Sequence, residues 1–399
     1  MKAKTIQNIY GTSVLLALHL HVYNSLSLFG LKLFVFPLAF AIVFSAFMKH
    51  SRTDWLILSL PLISMVTALF TWSTDIIYQG ISLLVIVIAV RKFTIYHNNR
   101  LLAINSILTF LSCLILLRHS EIVGTYRYQG FYEDPNYFSL TLVILGLFIV
   151  RRVVVSFSCG MDPYNKVQYA LFLFTDIFSL VMIVYFSLLS ASRTSFFVIS
   201  ILFVASLMSL ARRSKIKALT VATLFVLIAP VVTSRFLTDT DSEFNILGER
   251  LFNQTNDNMS SASAYRQLLT RNGLEYVLDN PIYLVTGIGI GGTSYYPEIF
   301  VPNKYHRDHN TITSCLTEQG VIALIIFLIL LFRAFRNLRF IQLGQRIFFQ
   351  LGFIAVILFS LSIWSMTYLP FWVFIVASYN LDNEYYLDKR ASALSAINV

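Results

Sequence analysis

Long apolar segments recur along almost the whole of this 399-residue chain, and they constrain its fold more than any motif does. A helix that spans a bilayer needs about 20 mostly apolar residues. Twelve segments meet or approach this length, at about 10–29, 31–48, 55–71, 76–90, 101–117, 137–150, 167–189, 194–210, 216–232, 311–332, 347–364 and 368–378. Because 57% of the residues are hydrophobic and 13% are charged, we predict an all-α polytopic integral membrane protein with about 12 transmembrane helices. This composition excludes soluble enzymes, nucleic-acid-binding proteins and disulfide scaffolds.

The distribution of positive charge predicts the orientation of these helices. If the N-terminus is cytoplasmic, 20 of the 30 basic residues lie in inner segments and four lie in short outer connections. The positive-inside rule therefore predicts that both termini are cytoplasmic. The first apolar segment lacks a clear small-residue cleavage site, so we predict a retained helix. The predicted organisation is helices 1 to 9 in 1–232, one large outer loop in 233–310, and helices 10 to 12 with a cytoplasmic C-terminus in 311–399.

The large outer loop carries signals for ordered structure. Residues 260–279 have helical apolar periodicity, and the pattern ends at Asn280-Pro281, which predicts an amphipathic helix. We expect this loop to form an ordered cap over the membrane domain. Residues 287–292 satisfy the pattern GxGxxG, but neither a strand before them nor a helix after them supports nucleotide binding. We interpret them as a flexible turn near the site.

Four segments on the predicted outer face contain arginine or histidine next to a sequence signal for a helix start or for a helix. They contain Arg127 with Asp134, Pro135 and Asn136; Arg193; His309 with Asn310; and Arg266 with Arg271 on the loop helix. Helix N-termini offer free amides and a partial positive charge, and together with arginines they suit phosphate binding. If these places converge, they form a cationic pocket at the outer membrane–water boundary. The alternative is that the arginines are interfacial anchors that contact lipid headgroups.

Several polar residues allow more than one interpretation. His306, Asp308 and His309 have the spacing of a metal-site fragment, but His309 also suits a helix cap or a general base near neutral pH. Asp176 lies in the middle of the seventh span and needs a partner, which is either a site arginine or a residue of a neighbouring helix. His19 and His21 are interpreted as polar contacts inside the helix bundle.

The order of these motifs resembles the bacterial O-antigen polymerase and O-antigen ligase superfamily. The matching residues are Arg127-x-x-Gly130 with Asp134-Pro135-Asn136, Ser190-x-Ser192-Arg193, Arg266, Asp279-Asn280-Pro281, Gly287-x-Gly289, His309-Asn310 and Glu318-x-Gly320. The resemblance implies a membrane-embedded glycosyltransferase, similar to those of GT-C type, in the bacterial inner membrane. It implies a periplasmic active site that uses glycans carried on undecaprenyl pyrophosphate, with no metal and no cofactor.

The resemblance also implies roles for individual residues. Arg193, Arg266 and His309 would be catalytic, and the diphosphate and sugar would be bound by Arg127, Arg271, Asn136, Asn310 and Glu318. The implied partners are undecaprenyl-pyrophosphate-linked oligosaccharides as donor and acceptor, membrane lipids and a chain-length regulator, and no nucleic acid.

The resemblance leaves more than one activity open. We favour a polymerase because the chain is rich in Phe and Tyr (35 and 21 residues) and its N-terminal half is divergent. The first hundred residues match the superfamily only as generic spans. The first alternative is an O-antigen ligase that transfers the glycan to lipid A-core. The second is a transporter of lipid-linked oligosaccharide, although transporters usually contain repeats and the outer loop has no counterpart in the first half. A non-catalytic scaffold is a further class, in which the outer arginines would be replaceable.

Overall fold

The computed structural model describes residues 3–48, 53–71, 73–123, 128–132, 134–158, 166–190, 192, 194–202, 256–295 and 310–382, which are mostly helical. The helices are α1 (Ala3–His21), α2 (Val35–Ala46), α3 (Thr53–Thr71), α4 (Thr74–Val90), α5 (Asn99–Val123), α6 (Pro135–Ser158), α7 (Lys166–Leu189), α8 (described over 194–202), α9 (Asn256–Asp279), α10 (Pro281–Thr286), α11 (Gly292–Tyr295), α12 (Thr311–Asn337), α13 (Leu343–Ser360) and α14 (Leu369–Tyr379). Two short strands, β1 (Ser27–Leu28) and β2 (Leu31–Lys32), form an antiparallel hairpin.

The length and apolar character of these helices are those of a polytopic membrane protein. Four segments of the described chain are long and apolar enough to cross a bilayer: Asn99–Ser120, Pro135–Val153, Ala170–Leu189 and Thr311–Phe340. Five shorter apolar helices accompany them, within α2, α3, α4, α13 and α14. The predicted ninth span, 216–232, lies outside the described residues, so the number of twelve spans stays a prediction.

The first predicted span was wrong beyond His21. Instead of continuing to residue 29, α1 ends at His21 and the chain enters the β1–β2 hairpin. The two residues between the strands, Phe29 and Gly30, both have positive φ, 52° and 76°. Two such residues make the turn that suits a two-residue hairpin, and Gly30 adopts this conformation without steric cost. The apolar run 10–33 is therefore divided between a helix and a hairpin.

The core of the bundle surrounds the last described helix, α14. Every residue of α14 is buried, as expected for a helix that is hydrophobic all round. Helix α14 packs against α1, α4, α6 and α12, while α1 also contacts α2 and α5, and α6 contacts α7. This arrangement brings the ends of helices from both halves of the sequence together.

At the predicted inner end of the bundle, basic side chains donate hydrogen bonds to backbone carbonyl oxygens at helix ends and in the connections between helices. Lys92 Nζ donates to the carbonyl oxygens of Ser45, 3.0 Å, and Met48, 2.6 Å, at the end of α2. Arg151 Nε donates to the carbonyl oxygen of Tyr96, 2.9 Å. Cations near a helix C-terminus pair with otherwise unsatisfied carbonyls and with the negative end of the helix dipole. These residues thus stabilise the bundle in addition to setting the orientation of its helices in the membrane.

Asp176 braces three helices, and its ion-pair partner among the described residues is Arg152. Its Oδ1 lies 3.0 Å from Arg152 Nη1 and also accepts a hydrogen bond from Ser106. The three residues belong to α7, α6 and α5, and Asp176 is 2% exposed. A buried charge needs such a partner because its desolvation is costly. Of the two interpretations that the sequence left open, the structure supports the brace.

Candidate functional site

The starts of α6 and α8 are joined by hydrogen bonds between polar side chains. Ser192 Oγ donates to Asn136 Oδ1, 2.7 Å, and Ser139 Oγ donates to Ser190 Oγ, 2.6 Å. Asp134 Oδ1 accepts from the backbone amide of Asn136, 2.6 Å, so Asp134 caps a helix that begins at Pro135 as predicted. The two predicted helix starts therefore lie side by side.

A connection that no motif marks in the sequence links these two helix starts to the start of a third helix, α12. This connection, residues 361–368, joins α13 to α14. Thr194 Oγ1 at the start of α8 donates to Ser362 Oγ, 3.2 Å. Thr311 Oγ1 at the start of α12 donates to the carbonyl oxygen of Ile363, 2.8 Å, and the backbone amide of Ser365 donates to Thr311 Oγ1, 3.0 Å.

The same connection also contacts α6, because Tyr137 OH donates to the carbonyl oxygen of Trp364. The starts of α6, α8 and α12 therefore meet at residues 361–368. The local signal in the sequence was a cluster of Ser, Thr, Trp and Tyr between two apolar runs. That cluster shows only that the connection is polar, whereas its contacts depend on packing.

Asn310 forms the N-cap of α12. Its Oδ1 accepts hydrogen bonds from the backbone amides of Ile312, 3.0 Å, and Thr313, 3.3 Å. Asparagine is among the preferred N-cap residues because its short side chain satisfies amides that lack a helical partner. Asn310 thus fixes where the helix begins, directly after His309 in the sequence.

Glu318 is buried and joins three parts of the chain. Its exposed fraction is 0%. Trp364 Nε1, in the α13–α14 connection, donates to Oε2 at 2.9 Å, and Thr293 Oγ1, in α11, donates to Oε1 at 2.7 Å. Both carboxyl oxygens are therefore engaged by protein donors. These contacts favour a role for Glu318 in positioning the site over direct contact with a substrate.

Helix α12 is interrupted two residues after Glu318. Gly320 has φ 82° and ψ 172°, a conformation essentially confined to glycine. The interruption leaves the carbonyls of Thr317 and Glu318 free to accept bonds from the turn after α10: Ile288 N to Thr317 O, 3.0 Å, and Gly289 N to Glu318 O, 2.8 Å. The GxGxxG segment is therefore an ordered turn, not a flexible one, and its backbone is docked onto the broken helix.

The loop helix α9 has the predicted end, and Arg271 lies outside any buried cluster of the described residues. The helix ends at Asp279, before Asn280 and Pro281. Arg271 lies on its exposed surface, and its Nε is 2.7 Å from Glu275 Oε1. This ion pair raises the pKa of Arg271.

The remaining predicted residues lie outside the described part of the chain. These are Arg127, Arg193 and His309, together with His306 and Asp308 of the potential metal fragment and the side chain of Arg266. Within the described ranges, no group of three His, Cys, Asp or Glu residues could hold a metal ion. The roles that the resemblance implies for these residues stay predictions.

A buried layer of hydroxyl and aromatic groups supports the start of α6. Tyr132 OH lies 2.9 Å from His21 Nδ1 and 2.9 Å from Thr141 Oγ1, and Thr141 also bonds Tyr368 OH. Burial raises the pKa of Tyr132, which keeps its hydroxyl protonated at neutral pH. His19, two residues before His21, contacts Asn105 Oδ1, 3.2 Å, and Ser112 Oγ, 3.4 Å. Both histidines are buried, which confirms that they are bundle-interior contacts.

Comparison with known protein families identifies the segment that contains most of these residues. Residues 178–328 match the model of a family described as O-antigen ligase. The matched range includes Ser192, Arg193, Arg266, His309, Asn310 and Glu318, whereas Arg127 and Asn136 precede it. No curated protein matches the chain. The match supports an enzyme activity of the O-antigen polymerase or ligase type, in a membrane and with lipid-linked glycans as substrates. Residues 178–328 are therefore similar to the O-antigen ligase family, and this match supports the resemblance to the O-antigen ligase and polymerase superfamily.

Proposed function

We propose that this protein is an O-antigen polymerase that joins oligosaccharide repeat units carried on undecaprenyl pyrophosphate. The reaction takes place at the periplasmic face of the bacterial inner membrane, and both termini of the chain are cytoplasmic. The enzyme inverts the configuration at the anomeric carbon and needs no metal ion.

One observation carries this proposal: the starts of α6, α8 and α12 are hydrogen-bonded to one another or to residues 361–368. The bonds are Ser192–Asn136, 2.7 Å, Thr194–Ser362, 3.2 Å, and Thr311–Ser365, 2.8 Å. Helix N-termini that meet in this way direct partial positive charge to one place. A diphosphate carries the complementary charge.

The chemistry follows from the leaving group. The bond between the anomeric carbon and the diphosphate oxygen breaks, and the electron pair leaves with the diphosphate, which departs without a proton. We assign Arg127, Arg193 and Arg266 to the stabilisation of that charge. A preorganised donor of this kind typically contributes about 10²–10³ in rate.

The new glycosidic bond forms from an acceptor hydroxyl on the opposite face of the sugar. We assign His309 to this hydroxyl, either as the base that takes its proton or as the group that positions it. A histidine is suited to proton transfer near neutral pH. A single displacement in line inverts the anomeric carbon.

Three described residues support the site through their contacts. Asn136 joins α6 to α8, Asn310 fixes the start of α12, and Glu318 ties α12 to α11 and to the α13–α14 connection. We assign them to orientation of the site and of the sugar. Because Arg271 is exposed and paired with Glu275, we assign it the least important role among the candidate arginines.

A ligase is the second candidate. The description of the matching family, O-antigen ligase, favours it. Both activities use the same donor and the same departure of diphosphate, and they differ in the acceptor. A ligase transfers the glycan to lipid A-core, and a polymerase transfers it to another repeat unit on the carrier lipid.

The experiment uses the full chain in nanodiscs with lipid-linked repeat units, with or without lipid A-core. We expect longer carrier-linked glycans without lipid A-core, and we expect Arg193→Ala and His309→Ala to abolish them. Arg271→Ala is the matched control and should retain most of the activity. Products that appear only on lipid A-core would indicate the ligase. Full activity of both Arg193→Ala and His309→Ala would refute a glycosyltransferase site at this place.

A further inference from the structure

The β1–β2 hairpin exposes an almost continuous apolar surface beside the candidate site. Leu28, Phe29 and Leu31 are 49%, 90% and 51% exposed, and Leu26, next to β1, is 43% exposed. Lys32 at the end of β2 is also exposed. Exposed apolar side chains on both strands and on the turn between them need an apolar partner.

The hairpin is attached to the chain segment that leads into α6. The backbone amide of Ser25 donates to the carbonyl oxygen of Phe131, 3.0 Å, and the rings of Tyr23 and Phe131 are 5.1 Å apart. His21 at the end of α1 contacts Tyr132. The hairpin therefore lies at the same end of the bundle as Asn136.

The lengths of the neighbouring helices show how deep the hairpin lies in a bilayer. Tyr10 OH donates to the carbonyl oxygen of Ala89, 2.7 Å, so Tyr10 is level with the end of α4. Lys92 contacts the end of α2 at the same level. From this level, α1 up to His21 and the 12 residues of α2 each rise by about 18 Å at 1.5 Å per residue. Arg91 and Lys92 lie at this level, and with it as the inner boundary of a hydrocarbon core about 30 Å thick, both helices end roughly 12 Å below the outer boundary.

The hairpin supplies most of this missing length. Ser27 pairs with Lys32 and Leu28 with Leu31, and the backbone amide of Leu33 donates to the carbonyl oxygen of Leu26, 3.3 Å, so three residues of each arm are paired. At about 3.4 Å per residue, each arm adds about 10 Å. The amides on the outer edges of a two-stranded hairpin have no second strand to bond. An unbonded amide in hydrocarbon is costly, so these edges must reach headgroups or water. Lys32 can extend its ammonium group to a lipid phosphate at that boundary.

We propose that the β1–β2 hairpin is a membrane anchor that inserts Leu28, Phe29 and Leu31 into the boundary between acyl chains and headgroups. Its partner is the bilayer leaflet on the side of the candidate site. Through Ser25 and Tyr23, the anchor holds the segment before α6 at a fixed depth. The proposal is independent of which glycan acceptor the enzyme uses.

The experiment is electron paramagnetic resonance of nitroxide-labelled protein in bilayer nanodiscs. The labels are placed through Phe29→Cys and Leu31→Cys in a Cys159→Ser background. Gln129→Cys, on the exposed part of the neighbouring segment, is the aqueous control, and Phe40→Cys, on the 62% exposed face of α2, is the lipid control. The collision rates with oxygen and with a water-soluble nickel chelate are measured for each label.

We expect the labels at positions 29 and 31 to collide with oxygen as often as the lipid control and with nickel several-fold less often than the aqueous control. A label at either position that matches the aqueous control would overturn the proposal. Labels that are shielded from both agents would also overturn it, since they would show that protein covers the hairpin. Leu31→Cys provides a second measurement if Phe29→Cys folds poorly.

Discussion

Replacement of Gly320 by alanine should release the outer loop from the membrane domain. A Cβ atom on Gly320 would overlap the carbonyl oxygen of Val285 and lie 3.0 Å from the amide nitrogen of Gly287. The neighbouring atoms belong to the backbone, so they cannot rotate away as a side chain does. In addition, alanine is strained at a φ of 82°.

The magnitude follows from the penalties that alanine adds to the docked form. The strained backbone conformation costs about 1–3 kcal/mol for a residue with a side chain. The overlap of the added Cβ atom with the backbone of Val285 costs about 1–3 kcal/mol more, as at other overpacked sites. The total is about 2–6 kcal/mol, and since 1.4 kcal/mol corresponds to a factor of ten, even the lower limit makes the undocked form roughly 30-fold more populated.

The assay measures how fast the thiol of Cys315 reacts with a maleimide in nanodiscs. Cys315 lies on α12, three residues before Glu318, and is 0% exposed. Its labelling therefore requires local opening. The buried Cys113 on α5 serves as an internal reference, and peptide mapping separates the two thiols. Gly146→Ala is the matched control, because its Cβ would make ordinary contact with Ile183 at 3.5 Å.

We expect Gly320→Ala to accelerate the labelling of Cys315 by at least an order of magnitude while Gly146→Ala leaves it unchanged. Glycosyl transfer should fall with Gly320→Ala for the same reason. A labelling rate within twofold of that of the unmodified protein, with normal activity, would refute the account of a broken helix that holds the loop.

Three further predictions concern the buried acids Glu318 and Asp176 and the dependence of glycan synthesis on metal ions. Glu318→Gln leaves a single acceptor oxygen for the donors Thr293 and Trp364, so an SDS titration should show a free energy of unfolding lower by about 1–3 kcal/mol; an unchanged midpoint would contradict this role. Asp176→Asn removes the negative charge that pairs with Arg152 and should destabilise the bundle by about 3–5 kcal/mol, whereas the double variant Asp176→Leu/Arg152→Met should restore most of that loss. If both the single and the double variant unfold like the unmodified protein, the pair is not a brace. Finally, glycan synthesis should be unaffected by millimolar EDTA, because arginines carry the charge stabilisation in the proposed mechanism, and a loss that Mg²⁺ restores would argue for a metal.

Short-range signals in the sequence predicted several parts of the fold and site. Asp134 and Pro135 gave the start of α6, Asn310 gave that of α12, and the end of α9 at Asp279 followed from Asn280-Pro281. These features depend on residues within about one helical turn, where caps and prolines act. The same local logic failed after His21, because an unbroken apolar run does not reveal a turn at Phe29 and Gly30.

Contacts between distant residues could not be predicted in this way. The partner of Asp176 is Arg152, and Glu318 meets Trp364 from 46 positions further along the chain. Each of these pairs has many alternatives of equal local propensity. The choice among them is made when whole helices pack, because only then are the side chains placed within hydrogen-bonding distance.

The sequence by itself determined that the chain is a helical membrane protein, which of its ends are basic, and which helix starts carry arginine, histidine and asparagine. The length of apolar segments and the distribution of charge act through the bilayer, which is the same for every such chain. Their effect can therefore be predicted from the sequence. The tertiary structure alone decided that residues 361–368 join the starts of α6, α8 and α12, and that the break at Gly320 accepts the glycine turn. Those features depend on the close approach of backbones and hydroxyl groups, which exists only in the packed bundle.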